Sequence, residues 1–380
     1  MFGIYFHIPF CKSKCGYCDF YSVAASQGVV QQTVDAMLCE VELRKNYFTH
    51  VKNLGENATL YFGGGTPSLL HPSQIDALAQ KAIHAFGVKN VLEFTVEVNP
   101  DDVTPEYLRA LREIGVDRLS IGVQSFFDDD LQRVNRRHTA QQAKSSVLFA
   151  QKEGFKNISV DLIYGLPQMT FERWKANLET VFSLDVQHLS TYALSVEKGT
   201  PLDAEQRRGE LVLPTEDEMM MQILLLDGLS THHGFTHYEI SNFGREGFFA
   251  LHNTAYWQQK PYIGIGAAAH SYCGAQRRGN IANNTLYMER VCSGADFFEV
   301  ENLTQEQQYN EYVFTGLRTM WGINFNHMKQ VFDNRLYEHC LKNAQKHIDR
   351  KFVMLKNGVL TIPKNHWLIA DRIIMDLIWV

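Results

Sequence analysis

The chain has 380 residues, of which 45% are hydrophobic and 21% charged, a composition typical of a globular protein with one large domain and a smaller one. Its formal net charge of −6 gives no basic field, which argues against binding to nucleic acid or to an anionic membrane. Met1–Phe10 carries no basic leader, and no apolar run approaches the length of a membrane span. We therefore predict neither a signal peptide nor a transmembrane segment.

The first half of the chain alternates between short β-rich runs and helical patterns. This alternation predicts an α/β fold, with a parallel sheet covered by helices such as Gln31–Thr49 and Ser73–Phe86. Six such units suggest a partial (β/α)6 barrel, and an open doubly wound sheet is the alternative. Strands are expected at Ile4–Ile8, Thr59–Phe62, Glu93–Val98, Arg118–Val123, Ser159–Tyr164 and His188–Leu194.

The regular alternation ends near Pro214. A helix is expected through Met219–Thr231, followed by a turn-rich aromatic stretch from Gly234 to Gly279. From about Thr304 the pattern is helical and closes with a helix, a hairpin and a helix. We therefore predict a barrel over residues 1–213, an extension over 214–303 and a small, mostly helical domain over 304–380.

Three cysteines, Cys11, Cys15 and Cys18, lie close together near the start of the chain, and the next is Cys39. A four-iron cluster held by only three thiolates keeps one iron open, and an open metal position can bind a reactant. The C-x3-C-x2-C spacing is similar to that of the radical SAM superfamily, in which the open iron binds S-adenosylmethionine (SAM). A zinc site is the alternative, although zinc would require a fourth ligand.

The remaining cysteines are scattered, and their spacing indicates no further site. The odd total of seven, together with an oxygen-sensitive cluster, indicates a reducing cytoplasm. We expect these four to be ordinary buried thiols: Cys39, Cys273, Cys292 and Cys340.

A second motif, Tyr61-Phe-Gly-Gly-Gly-Thr-Pro67, joins a predicted strand to a predicted helix. Its glycines allow the backbone to approach a ligand closely and to adopt positive φ. In radical SAM proteins such a stretch meets the amino group of SAM. A plain turn is the alternative interpretation.

Polar residues also occur within or just after the later strands. Glu97 and Asp161 interrupt apolar runs, and a carboxylate there requires a partner, such as ribose hydroxyls or internal arginines. Gln124 follows the fourth strand, Arg136 could face a carboxylate, and Arg137 is expected to be solvated.

Four segments together resemble the oxygen-independent coproporphyrinogen III oxidase family over nearly the whole chain: Tyr5–Cys11, Gly63–Pro67, Gly122–Ser125 and Asp161–Pro167. The resemblance implies a 4Fe–4S cluster on Cys11, Cys15 and Cys18. It also implies SAM contacts from Tyr5, Tyr17, Gly64, Gly65, Thr66, Glu97, Gln124, Arg136 and Asp161. Members of the family bind two SAM molecules, and whether a second one binds here is left open.

Two departures distinguish this chain from the oxidase. Phe20 stands where the oxidase has a further cysteine, and only ten residues precede Cys11, whereas the oxidase has an amino-terminal extension. Both features resemble the heme chaperone branch of the family, as does the string His252-Asn-Thr-Ala-Tyr256-Trp257. In that branch this motif is associated with heme binding and transfer.

The chemistry of this motif is compatible with heme. Histidine is a good axial ligand, so His252 is the candidate, with Tyr256 and Trp257 packing against the porphyrin. A structural, hydrogen-bonded histidine is the alternative. His7, His237 and His270 are competing candidates, and His7 is also expected to lie behind the cluster ligands.

The sequence therefore predicts a cytoplasmic radical SAM homologue that binds heme and transfers it to an acceptor hemoprotein, without oxidase turnover. An electron donor and a homodimer are further expected partners. The alternative is a SAM-dependent oxygen-independent coproporphyrinogen III oxidase, and a methylase or a heme-degrading relative is a third possibility.

Overall fold

The computed structural model describes residues 1–24, 26–52 and 54–380. Six parallel strands form the centre of a 12-stranded sheet and lie side by side in chain order. Most of their residues are buried, as expected for a parallel sheet with covered faces. These strands are β1 (Phe2–Ile8), β2 (Asn57–Gly64), β3 (Asn90–Val98), β4 (Arg118–Gln124), β5 (Asn157–Tyr164) and β6 (His188–Ala193).

Helices alternate with these strands, and several begin at a threonine. The Oγ1 atoms of Thr104, Thr139, Thr170, Thr200 and Thr215 each accept a hydrogen bond from a backbone N–H in the first turn, which stabilises the helix start. The helices are α1 (Gln27–Leu43), α2 (Pro72–Ala85), α3 (Pro105–Glu113), α4 (Asp128–Arg133), α5 (Ala140–Lys152), α6 (Phe171–Ser183), α7 (Pro201–Arg207) and α8 (Glu216–His232).

The sheet continues beyond the six parallel strands on both sides. Strands β7 and β8 are added antiparallel beside β6, β9 pairs parallel with β1, and β10 to β12 continue antiparallel from β9. The sequence predicted a turn-rich stretch over Gly234–Gly279, whereas the structure has short strands and a helix there. The elements are β7 (Thr236–Glu239), β8 (Asn242–Gly244), α9 (Leu251–Trp257), β9 (Tyr262–Ile265), β10 (His270–Tyr272), β11 (Gln276–Asn280), α10 (Asn284–Ser293) and β12 (Phe298–Asn302).

The last part of the chain has a hydrophobic core of its own, centred on residues such as Tyr309, Leu336 and Trp367. Its elements are α11 (Gln305–Gly316), β13 (Ile323–Asn324), α12 (Phe325–Val331), α13 (Asn334–Asp349), β14 (Met354–Lys356), β15 (Val359–Thr361) and α14 (Ala370–Met375). Three 3-10 turns complete the described structure: Pro67–Leu69, Pro100–Asp102 and Lys364–Ile369. The division at residues 213 and 303 stays a prediction.

Two further sequence predictions are decided by burial and helix length. Of the four scattered cysteines only Cys340 is buried, whereas Cys39 and Cys292 are exposed, so the prediction of four buried thiols was wrong. Among the described residues, no helix is both long and apolar enough to cross a membrane.

Candidate functional site

The three clustered cysteines lie in the loop after β1, at the carboxyl ends of the parallel strands. Cys11, Cys15 and Cys18 all line a cavity of about 440 Å³, which we call the cluster cavity. Ligands of parallel α/β folds bind at this edge because the strand-to-helix loops converge there. Phe20 also lines the cavity and is 64% exposed.

Two of the thiols receive hydrogen-bond donors from other loops. Thr66 Oγ1 lies 3.4 Å from Cys11 Sγ, and Arg136 Nη1 lies 3.5 Å from Cys15 Sγ. Burial raises the pKa of the Cys18 thiol, and Cys15 and Cys11 raise it further, which indicates that the three sulfurs are near one another. Donors and a guanidinium directed at sulfur suit thiolate ligands.

The glycines that follow β2 form one edge of the cluster cavity. Gly64 has a φ of +107°, and a Cβ at this position would lie 2.6 Å from Nδ1 of His7. A Cβ on Gly65 would lie 2.6 Å from the carbonyl oxygen of Phe10 and 2.8 Å from that of Ile8. Glycine is therefore required at both positions for the β2 edge to pack against the cysteine loop.

Two half-buried carboxyls also line this cavity. Glu97 accepts a hydrogen bond of 2.7 Å from the Tyr61 hydroxyl, and Asp161 accepts hydrogen bonds from Ser120 and Ser159. Burial raises the pKa of both carboxyls, that of Glu97 to about 7. Neither carboxyl forms an ion pair with an arginine among the described residues. Arg118 nevertheless acts electrostatically on both carboxyls and lowers their pKa, so the alternative of internal arginine partners stays a prediction.

The remaining predicted cavity residues approach from several loops. Tyr17, Thr66 and Gln124 line the cavity, and Gln124 has a φ of +66° at an irregularity in the pairing of β4 with β5. Arg136 donates to Asn99 Oδ1 at 2.9 Å and to the Gly122 carbonyl oxygen, rather than to a carboxylate.

Two predicted positions differ from expectation. Arg137, expected to be solvated, forms ion pairs with Asp101 and Asp102. Tyr5 does not line the cluster cavity; its hydroxyl lies 3.1 Å from Nδ1 of His7, whose Nε2 lies 3.1 Å from the Tyr21 carbonyl oxygen. His7 thus packs beneath the glycine edge.

The residues present fit a three-thiolate cluster with SAM beside it. Three sulfurs, two donors directed at sulfur and a glycine edge face one cavity with two half-buried carboxyls. In the described residues, no group of three His, Cys, Asp or Glu side chains is placed to hold a single metal ion. Such a cluster, when bound, supplies an electron that cleaves the sulfonium of SAM.

A second cavity, of about 570 Å³, lies beside the first; we call it the aromatic cavity. Its walls include Tyr256 and Trp257 of α9, whereas Phe314 comes from α11 of the carboxy-terminal core. Arg277, which forms an ion pair with Glu311, is the one lysine or arginine among the described residues that line it. The other lining residues are Tyr192, Glu239, Ser241, Asn242, Asn253, Gln259, Tyr262, Tyr272 and Thr315.

His252 lies behind this cavity rather than in its wall, and it is only 1% exposed. Its Nδ1 is 2.8 Å from Thr59 Oγ1, and its Nε2 is 3.0 Å from the Tyr256 hydroxyl. Burial, followed by Arg118, lowers the pKa of His252 to about 3, so the ring is neutral. In this conformation neither ring nitrogen is free to bind iron, and heme ligation by His252 stays a prediction.

The helix that carries this motif is fixed to the central sheet by Glu93 of β3. The Glu93 carboxylate accepts hydrogen bonds from the backbone N–H groups of Leu251 (2.8 Å) and His252 (3.0 Å). A carboxylate at a helix start satisfies N–H groups that have no partner within the helix. Glu93 therefore holds Tyr256 and Trp257 at the aromatic cavity.

The sequence did not predict several residues that shape the two cavities. Tyr192, Glu239 and Asn242 were not selected, because each lies in a strand or turn without a recognisable motif. The one signal at Glu239 was a carboxylate between Tyr238 and Ile240, but the polar residues on either side of this short segment left it too weak to select.

The six parallel strands, the loop with three cysteines and the glycines after β2 are features of the radical SAM class of proteins. Sequence comparisons agree with this class. The model of the Radical SAM superfamily matches residues 5–181, and the HemN C-terminal domain matches residues 303–369. Membership of that superfamily implies a 4Fe–4S cluster and SAM as cofactors.

Individual relatives define the family more narrowly. A Lactococcus lactis protein named heme chaperone HemW is 35% identical over 331 residues, which cover 87% of this chain and 84% of the relative. The Bacillus subtilis protein of the same name is 34% identical over 340 residues, with 88% of each chain covered. The chain belongs to the HemW family of radical SAM proteins, which confirms the predicted resemblance.

A solved structure confirms the fold. Coproporphyrinogen III oxidase (HemN) from Escherichia coli aligns with a TM-score of 0.83 over 99% of this chain and 89% of its own length, at 23% identity. At this identity the likeness shows the fold alone, and it confirms the predicted α/β fold of radical SAM proteins.

Proposed function

We propose that this protein is a heme chaperone, which binds heme in the aromatic cavity and transfers it to an acceptor hemoprotein. The observation that carries the proposal is this cavity beside the cluster cavity, with Tyr256 and Trp257 in its wall. Its volume of about 570 Å³ lies in the range of sites for cofactors, and aromatic walls suit a flat macrocycle. Relatives named heme chaperone support the same assignment.

The proposal assigns the cluster to Cys11, Cys15 and Cys18. SAM would lie against Gly64, Gly65, Thr66 and the half-buried carboxyls of Glu97 and Asp161. The carboxyl oxygens can accept hydrogen bonds from ribose hydroxyls or an ammonium group. Tyr17, Gln124 and Arg136 complete that side of the cavity.

The partners follow from this role. An electron donor would reduce the cluster, an acceptor hemoprotein would receive the heme, and the expected compartment is the reducing cytoplasm. A homodimer also belongs to the proposal.

The test is an anaerobic titration of the reconstituted protein with ferric heme. We expect saturable binding of one heme per chain, which weakens at least tenfold in Trp257→Ala. Trp379→Ala is the matched control, because Trp379 packs against His339 in the carboxy-terminal core and does not line the cavity. Cys15→Ala should lose the iron–sulfur absorbance and SAM binding.

A parallel incubation with SAM, reductant and coproporphyrinogen III distinguishes the oxidase. We expect no protoporphyrinogen and no carbon dioxide. Multiple turnovers to protoporphyrinogen, or heme binding unchanged in Trp257→Ala, would contradict the proposed function.

A further inference from the structure

One side chain is shared by the two cavities. Tyr192, near the carboxyl end of β6, lines both the cluster cavity and the aromatic cavity. It is 45% exposed, although burial within the barrel raises the pKa of its hydroxyl. The accessible surface of Tyr192 therefore faces the cavities, and its ring forms part of the wall between them.

The charges around Tyr192 come from both cavities. After burial, the groups that raise the pKa of its hydroxyl are Asp161, Glu239 and Glu97. Asp161 and Glu97 line the cluster cavity, whereas Glu239 lines the aromatic cavity. The phenol thus lies within electrostatic reach of carboxyls on both sides, and it remains a neutral hydrogen-bond donor to either occupant.

We propose that Tyr192 couples the two sites, so that SAM bound in the cluster cavity strengthens the binding of a tetrapyrrole in the aromatic cavity. The proposal rests on the proposed function and deepens it. An accessible side chain loses rotational freedom when either neighbour packs against it. The second ligand then meets a ring that is already ordered, which gives positive coupling.

The size of the effect follows from ordering one side chain, which costs about 0.5–1.5 kcal/mol. We therefore expect heme to bind about two- to tenfold more tightly when the cluster cavity is occupied. Linkage requires heme to strengthen binding in the cluster cavity by the same factor.

The experiment measures both affinities by anaerobic calorimetry on the cluster-loaded protein, with ferric heme and S-adenosylhomocysteine as probes. The second probe is a thioether, so it has no sulfonium to cleave. The quantity compared is the ratio of the heme dissociation constants without and with S-adenosylhomocysteine. Tyr192→Ala should bring the ratio to about one, whereas Tyr192→Phe, which keeps the ring, should preserve it.

Phe314→Ala is the matched control, because Phe314 is also 45% exposed but lines only the aromatic cavity. This variant should bind heme more weakly and keep the native ratio. If the ratio of heme dissociation constants is one in the native chain, or if Tyr192→Ala keeps the native ratio, the coupling is overturned. The proposed heme-binding function would be unaffected by either result. Absence of heme binding by the native chain would overturn both proposals.

Discussion

Single residues at the aromatic cavity divide into those that face it and those that support it from behind. Trp257 lines the cavity, whereas the His252 ring bonds Thr59 and Tyr256 with its two nitrogens. A residue held in this way positions the helix, and its loss leaves two buried groups without a partner. The geometry thus favours a supporting role for His252.

This interpretation predicts the effect of His252→Ala. The free energy of unfolding should fall by about 1–3 kcal/mol, because buried hydrogen bonds are lost and a cavity forms. His50→Ala is the control, since His50 is exposed, and its cost should stay within about 0.5 kcal/mol. Chemical denaturation measures both. Unchanged stability together with a lost heme absorbance band would instead identify His252 as an iron ligand.

Glu239 makes stability depend on pH. Burial raises its pKa to about 7 from an ordinary value of 4.5, so the folded protein holds this proton at a pH where the unfolded chain has released it. The stabilisation is complete below the unfolded pKa and is lost as the pH rises through the folded pKa. Between about pH 5 and about pH 8 the free energy of unfolding should fall by up to about 3 kcal/mol from this group.

The matched variant is Glu239→Gln, which keeps the shape and removes the titration. Denaturation curves at both pH values should show a smaller decrease for the variant than for the native chain. Glu97, whose pKa is also raised to about 7, and buried histidines with a lowered pKa, such as His252, titrate in both chains, so the difference between the two chains isolates the contribution of Glu239. If the free energy of unfolding changes equally with pH in the native and variant chains, Glu239 does not titrate in this range.

At the scale of elements, the sequence predicted those strands and turns whose residues form a clear local pattern. The six parallel strands and the glycine edge have strong local patterns. By contrast, β8 and β10 have three residues each, and β11 carries no alternating apolar pattern. These strands therefore give too weak a periodic signal to be predicted, although they pair with strands close to them in the chain. The aromatic cavity was missed for a different reason, because α9, β11 and α11 are far apart in the chain and meet only after folding.

The contact between the β2 edge and the cysteine loop can be tested at Gly65. In Gly65→Ala the new methyl group would meet two carbonyl oxygens of the loop at under 3 Å, so the loop must move. We expect loss of most cluster absorbance with the barrel still folded. Gly228→Ala, in the middle of α8 and without a neighbour within 4 Å, should retain the cluster and gain about 0.5–1 kcal/mol of stability.

At the scale of the whole molecule, the aromatic cavity depends on the packing of two hydrophobic cores. Glu311, Phe314 and Thr315 reach it from α11, whereas the rest of its wall comes from residues 192–277, which precede the carboxy-terminal core. The carboxy-terminal part is attached by Trp321, whose ring lies 6.0 Å from that of Tyr238 and 6.5 Å from that of Phe249. Backbone hydrogen bonds from Met320 to Tyr238 and from Ile240 to Arg318 reinforce this contact.

Weakening this attachment should therefore lower the affinity for heme and leave the iron–sulfur cluster unchanged. In Trp321→Ala the ring contacts are lost outside the cavity lining, α11 is held less firmly, and heme should bind about tenfold more weakly or worse. The cluster lies at the other cavity, whose lining includes no residue of α11, so iron content and SAM binding should be unchanged. Trp379→Ala removes an indole from the carboxy-terminal core away from this contact and should leave heme binding as in the native chain. Native heme affinity in Trp321→Ala would mean that the barrel and its extension hold heme without help from α11.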